Sequence, residues 1–283
     1  KGFVYYMSEK YEKALENFLK AVSLIKEEAA EVYDMYPRIS WIYQNIKGDI
    51  ENAKKYAKIS IDIMPDYDFA QYRMGCIYLY ADKNYKEAAK YFKKALALKM
   101  GETDIYVYYD VGKNYFSMKK YAQALKYVEM GLSIQPENLG LCSVKISILY
   151  KQRKYEEVRT LLQQALEKFP DDIWVQQANA MILGHFKQYD DAVKILEPIR
   201  KDLQEVNVYA LFVLANCYFK KKEYEKSLET FLEYSQKEYL EYLEKQDIRS
   251  IRSFIKKLSK HFPNDDRLNQ IEENFKPVLN PIE

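Results

Sequence analysis

Helix breakers are scarce in this chain of 283 residues, with eight glycines and eight prolines. Both residues weaken a helix interior, so their scarcity predicts long helices joined by short turns. Cysteine is scarcer still. Cys76, Cys142 and Cys217 lie far apart, form no Cys-x-x-Cys pair and are odd in number. That spacing argues against a disulfide framework or a cysteine-based zinc site, and it predicts buried, reduced thiols in a cytoplasmic or otherwise reducing compartment. Of the two histidines, His185 and His261, neither has a second His or Cys at i+3 or i+4, so no helical metal-binding pair exists. There is no glycine-rich phosphate loop and no Gly-x-Ser-x-Gly elbow. The sequence therefore predicts no catalytic, metal-binding or cofactor-binding residue, and no enzyme in this segment. No run of about 18 apolar residues is present, so no helix is expected to span a membrane. The opening Lys1-Gly2-Phe3-Val4 is neither a signal peptide nor an initiator Met, and reads as a cut from a longer chain whose targeting segment would lie elsewhere.

Charge of one sign is also lacking. Lys plus Arg number 44 and Asp plus Glu number 42, a net charge of +2. Nucleic-acid binding needs a strong basic excess on one face to displace counterions, so that class is not expected. The densest basic run, Lys220-Lys221-Lys222, falls at a predicted helix–helix turn, and Lys119-Lys120 and Arg153-Lys154 occupy equivalent turns. The plain reading of these is solubilising turn residues, with a basic edge as the sharper one.

Hydrophobic residues make up 48% of the chain and tyrosine alone supplies 28 residues. These residues repeat. A tyrosine followed three places later by a small residue occurs at Tyr11/Ala14, Tyr85/Ala88, Tyr121/Ala124, Tyr155/Val158, Tyr189/Ala192 and Tyr224/Ser227, and Ile50/Ala53 fills the remaining slot. The small positions are spaced 39, 35, 36, 34, 34 and 35 residues apart. A larger residue follows each by four places, on the same helix face: Phe18, Phe92, Val128, Leu162, Leu196 and Phe231, with Ala57 the exception. Pro65, Pro136, Pro170 and Pro263 punctuate unit ends, while Pro198 falls inside a predicted helix and should end it early. A period near 34 residues marks a helical repeat array.

Each unit also carries a first helix. The fourth reads Tyr108-x-x-Val111-Gly112-x-x-Tyr115, and the third has Met74-Gly75-x-x-Tyr78. With the Tyr-x-x-Ala anchor and the terminal proline, the chain resembles the tetratricopeptide repeat family over about residues 2–241. The resemblance implies an all-α, right-handed superhelical solenoid of antiparallel helix pairs, A and B, with about seven repeats and the first one truncated. Trp41 stands where the second repeat should have glycine, and the register there is expected to slip by one. Residues 1–241 are read as the array and 242–283 as a C-terminal helical cap and tail, whose apolar stripe includes Ile251, Phe254, Ile255 and Leu258.

The resemblance further implies a groove lined by A helices. The groove positions are Phe69 and Tyr72 in the third repeat, and Tyr106, Tyr109, Lys113 and Phe116 in the fourth. Tyr150 and Lys151 follow in the fifth, Trp174 and Gln177 in the sixth, and Tyr209, Phe212, Asn216 and Phe219 in the seventh. These positions are rich in aromatics and hold no carboxylate. The implied function is a scaffold or adaptor that binds a protein or peptide segment, apolar with some acidic residues. Two alternatives stay open: a regulatory repeat domain of a larger enzyme or signalling protein, and a self-assembling structural protein.

Overall fold

The computed structural model describes residues 1–24, 32–200, 209–236 and 245–279. Among them there are helices and turns and no strand, and the fold is an all-α repeat solenoid. The chain forms two compact units, Lys1–Arg153 and Lys154–Glu283.

The first unit contains α1 (Gly2–Met7), α2 (Tyr11–Leu24), α3 (Met35–Ile42), α4 (Ile50–Ile63), α5 (Asp68–Tyr80) and α6 (Tyr85–Ala97). It continues with the one-turn α7 (Met100–Thr103), then α8 (Tyr106–Ser117), α9 (Tyr121–Ile134) and α10 (Leu139–Lys151). Apart from α7, helices A and B alternate, and α1 packs on α2, α3 on α4, α5 on α6 and α8 on α9. The seven small anchor residues are fully buried throughout the chain, as are the six larger residues four places on. A small side chain lets two helices approach, and the larger one fills the adjoining groove. At Gly75 on α5 the approach is so close that a Cβ would lie 2.7 Å from the ring of Phe92 on α6. Ser227 departs from the apolar pattern at an anchor. Its buried hydroxyl donates to the carbonyl of Ala215 at 2.8 Å, which satisfies it.

The A-to-B turn has a left-handed pivot at the same place in every repeat. Its pivot is a left-handed residue five places before the anchor: Glu9, Gly48, Lys83, Lys119, Arg153, Lys187 and Lys222, with φ between 51° and 66°. At Lys119 that residue's N–H donates to the carbonyl of Phe116 at 2.8 Å, and the next residue, Lys120, donates to Tyr115 at 2.9 Å. These two bonds close the helix end in the Schellman pattern. In the second repeat α3 runs into a π-helical turn, Tyr43–Lys47, before Gly48. A π turn accommodates an extra residue, which gives the expected register slip its physical form.

The second unit contains α11 (Tyr155–Lys168), α12 (Ile173–His185), α13 (Tyr189–Leu196), α14 (Tyr209–Lys220), α15 (Tyr224–Ser235), α16 (Lys245–Leu258) and α17 (Asp266–Leu279). Helix α13 stops two residues before Pro198, as expected. Helices α16 and α17 continue the core of α14 and α15. Phe254 lies 4.9 Å from Phe231 edge-on, and Phe275 stacks on Phe231 at 5.6 Å. The expected boundary at 241/242 lies outside the described residues.

Candidate functional site

The A helices of the first unit touch their neighbours in sequence, α3 with α5, α5 with α8, and α8 with α10. Their side chains therefore form one shared face. On it α5 contributes Phe69, Tyr72, Cys76 and Tyr80, and α8 contributes Tyr106, Tyr109, Asp110, Lys113 and Phe116. Tyr106 is 64% exposed and Tyr80 42% exposed. Phe69, Tyr109, Lys113, Phe116 and Tyr150 are half-buried, and Lys151 is exposed.

The centre of this face is a carboxylate that the groove pattern in the sequence omits. Asp110 is only 6% exposed. One of its oxygens accepts a hydrogen bond from the Tyr72 hydroxyl at 2.5 Å and lies 3.5 Å from Cys76 Sγ, and the other accepts from the Tyr80 hydroxyl. A buried carboxylate without such donors would be costly. Burial raises the hydroxyl pKa values of Tyr72 and Tyr80, and the Asp110 charge raises them further. The Cys76 thiol is pushed up by its burial and then by Asp110, so it stays protonated. The network fixes the Tyr80 ring as a wall. The Lys113 ammonium lies 4.7 Å from that ring's centroid and 5.2 Å from that of Tyr109, so it sits between two aromatic faces.

Tyrosine has a second role that composition does not reveal. Tyr43 stacks on Tyr56 at 5.4 Å, Tyr78 on Tyr91 at 5.5 Å, and Tyr115 on Tyr127 at 5.5 Å. These are matching A-to-B pairs in successive repeats, so part of the tyrosine excess serves to clamp each helix pair.

In the second unit the groove positions differ among themselves. Trp174, Asn216 and Phe219 are half-buried. Phe212 is a core residue, with Phe254 at 5.5 Å and Tyr234 at 5.8 Å. Phe219 also meets Phe254, and His261 of the C-terminal segment stacks on Tyr224 at 3.8 Å. Gln177 is 5% exposed, and among the described residues neither its amide nitrogen nor its oxygen has a hydrogen-bond partner. Tyr209 opens α14, and its side chain lies outside the described residues. Among the described residues no group of three or more His, Cys, Asp or Glu is placed to hold a metal ion.

The buried anchors, the left-handed turns and the A-helix face define a helical-repeat scaffold of the protein-binding kind. The family profile described as Tetratricopeptide repeat matches residues 149–211, and a second of that description matches 186–239. A profile described as Anaphase-promoting complex, cyclosome, subunit 3 matches residues 81–165. The chain belongs to the tetratricopeptide repeat family.

Relatives include the TPR repeat-containing protein YpiA of Bacillus subtilis, 24% identical over 256 residues, covering 87% of this chain and 55% of that protein. The mitochondrial import receptor subunit TOM70 of Saccharomyces cerevisiae is 29% identical over 196 residues, covering 66% of this chain and 31% of the receptor. The chain thus spans about half of one relative and a third of the other. Similar solved structures include a tetratricopeptide repeat protein from Parabacteroides merdae, with a TM-score of 0.66 at 12% identity, covering 84% of this chain and 91% of that one. Another is the APC/C hetero-tetramer Cut9–Hcn1, with a TM-score of 0.65 at 14% identity, covering 81% of this chain and 44% of the matched chain.

Proposed function

We propose that this chain is a protein-interaction scaffold whose A-helix face on the first unit holds an apolar partner segment through Tyr106, Tyr109 and Phe116, with a partner carboxylate at Lys113. The placement of the Lys113 ammonium between the Tyr80 and Tyr109 rings carries this reading. Partly exposed aromatic rings offer large contact area at low entropic cost. A lysine held between them offers an attractive site to an acidic side chain, and Asp110 does not compete for it, because its oxygens already accept from Tyr72 and Tyr80. The relatives are consistent with a role in holding other proteins: one is named as an import receptor subunit, and one solved neighbour belongs to a hetero-tetramer. We also place the protein in a reducing compartment, in keeping with the free, buried Cys76 and Cys217; fractionation of cells expressing it would check this.

The test begins with a pull-down using the intact chain and identification of the bound protein. Titration of that protein against the Tyr106→Ala/Tyr109→Ala variant should show a loss of about 2 kcal/mol or more, the size expected when central aromatic anchors are truncated. Lys113→Glu should weaken it further by turning attraction into repulsion. Normal binding by both folded variants would exclude this face.

A further inference from the structure

We propose that the turn edge of the first unit is a second interaction surface, and that its partner is an extended acidic protein segment. The surface consists of Lys83, Lys119, Lys120 and Arg153. Three of these are the left-handed residues that end α5, α8 and α10, and Lys120 follows one of them. Because α5 touches α8 and α8 touches α10, their ends stand in a row. Packed helix axes lie roughly 8–10 Å apart, so a cation recurs along the row about every 10 Å.

All four side chains are exposed, and none forms an ion pair with a described residue. On the flanks of the same unit, Lys54, Lys90 and Lys145 are each paired, with Asp82, Glu87 and Glu129. The charge is also unevenly divided along the chain. Residues 1–153 hold 24 Lys and Arg against 19 Asp and Glu, a net of +5, whereas residues 154–283 hold 20 against 23.

Local helix chemistry accounts for part of these residue choices, since a cation just past a helix C-terminus suits its dipole, as at Lys187 and Lys222 of the second unit. A left-handed position favours glycine. The position before α9 favours a side chain that accepts from the helix's free N–H groups, and Asp49 and Asn84 do so at the equivalent place in the two preceding repeats. Lys120 makes no such bond and sets a cation beside the positive end of the α9 dipole. What sets this edge apart is the row of exposed cations left without ion pairs among the described residues.

The spacing favours an extended peptide. A strand rises about 3.3 Å per residue, so every third residue meets the next turn. A single-stranded nucleic acid would want exposed rings for its bases, but Tyr85 and Tyr121 beside the turns are half-buried, and Tyr121 packs on Phe116 at 5.7 Å. A membrane would want exposed apolar side chains at this edge. Beside these four residues the exposed apolar side chain among the described residues is Tyr80, whose hydroxyl is held by Asp110, and Ile46 lies one turn further along.

The probe is a fluorescent 15-residue peptide of repeating Glu-Gly-Ser, titrated into the intact chain by anisotropy at low and physiological salt. Binding should weaken with salt. It should fall at least tenfold in the K83Q/K119Q/K120Q/R153Q variant, with far-ultraviolet circular dichroism unchanged. The equally neutralised K55Q/K58Q/K93Q/K94Q variant, altered on exposed B-helix positions, should bind like the parent. Equal losses in the two fourfold variants would reduce the effect to net charge and overturn the proposal. A loss on K113Q alone would assign the peptide to the A-helix face and overturn it as well. Equal binding of a peptide with its five Glu in one block would remove the spacing argument. Preferential capture of oligo(dT) or phosphatidylserine vesicles by the same four residues would replace the protein partner with another class.

Discussion

Single residues in this chain often work against local preference, and the departures can be measured. Lys187 occupies the left-handed turn position between α12 and α13 with φ of 64°, a conformation that brings an L-residue's Cβ against its own backbone. Lys187→Gly should therefore raise stability by about 0.5–1 kcal/mol, read as a shift in urea midpoint at constant slope. A loss of stability would mean that the lysine's charge at the negative end of the α12 dipole outweighs the strain. Gln177 is the opposite case, a buried amide with no hydrogen-bond partner among the described residues. Exchange for an apolar side chain of similar length removes the desolvation cost, so Gln177→Met should stabilise by about 1–2 kcal/mol. Destabilisation would show that the amide has a partner in solution.

At the scale of helices, the contacts between A and B set most of the stability. Ala124 on α9 is fully buried beside Gly112 of α8. Ala124→Glu would force an unpaired charge into that seam and should cost several kcal/mol; an unchanged melting temperature would refute the packing register of that pair. The α5–α8 network predicts a response to alkali. Hydroxyls of Tyr72 and Tyr80 and the thiol of Cys76 all have raised pKa values. In the second unit burial pushes the Cys217 thiol to about 11 from an ordinary 9.0. A raised folded value means that the unfolded chain loses its proton first. The associated stability is complete below the unfolded pKa, near 9 for Cys217, and drains away as pH climbs toward 11, up to about 2–3 kcal/mol for that thiol. Melting temperature should fall steadily between pH 8.5 and 10.5, and a flat profile would contradict these buried groups. Much of this scale was legible in the sequence. The anchors from Ala14 to Ser227 mark every B helix because burial against a neighbour admits only small side chains there. The π turn at Tyr43–Lys47 was legible only as a misfit at Trp41, since an extra residue in a helix leaves no composition of its own. Asp110 was missed because its place on α8 falls between the assumed groove positions, and only the geometry of Tyr72 and Tyr80 gives it donors.

For the whole molecule, a repeat array draws stability from interfaces between neighbours, so its ends are the places to test. The first pair, α1 and α2, holds Phe18 well: Phe3 lies 5.1 Å away and Tyr6 6.4 Å away. Ala21 and Leu24, however, border an open hollow of about 280 Å³, and Val4, Met7 and Leu24 are largely exposed. Amide exchange should be fastest among the helices of the first unit in residues 2–24. Slower exchange there than in α5 or α8 would require that face to be covered in solution. The order of helix pairs was readable from the period alone. The division into two compact units at Arg153/Lys154 was not, because the repeat pattern runs through that point without a break in composition.

The recurring left-handed turn also makes the chain editable. Lys119 and Arg153 occupy equivalent pivots 34 residues apart, and each is followed by a lysine that opens the next helix. Excising residues 120–153 would join Lys119 to Lys154 and reconstitute the same local sequence pattern at the seam. A cut displaced from that frame by one or two residues would leave the pivot and the buried anchor Val158 out of step. The molecule's natural unit of gain and loss is thus a whole helix pair, spliced at its pivots.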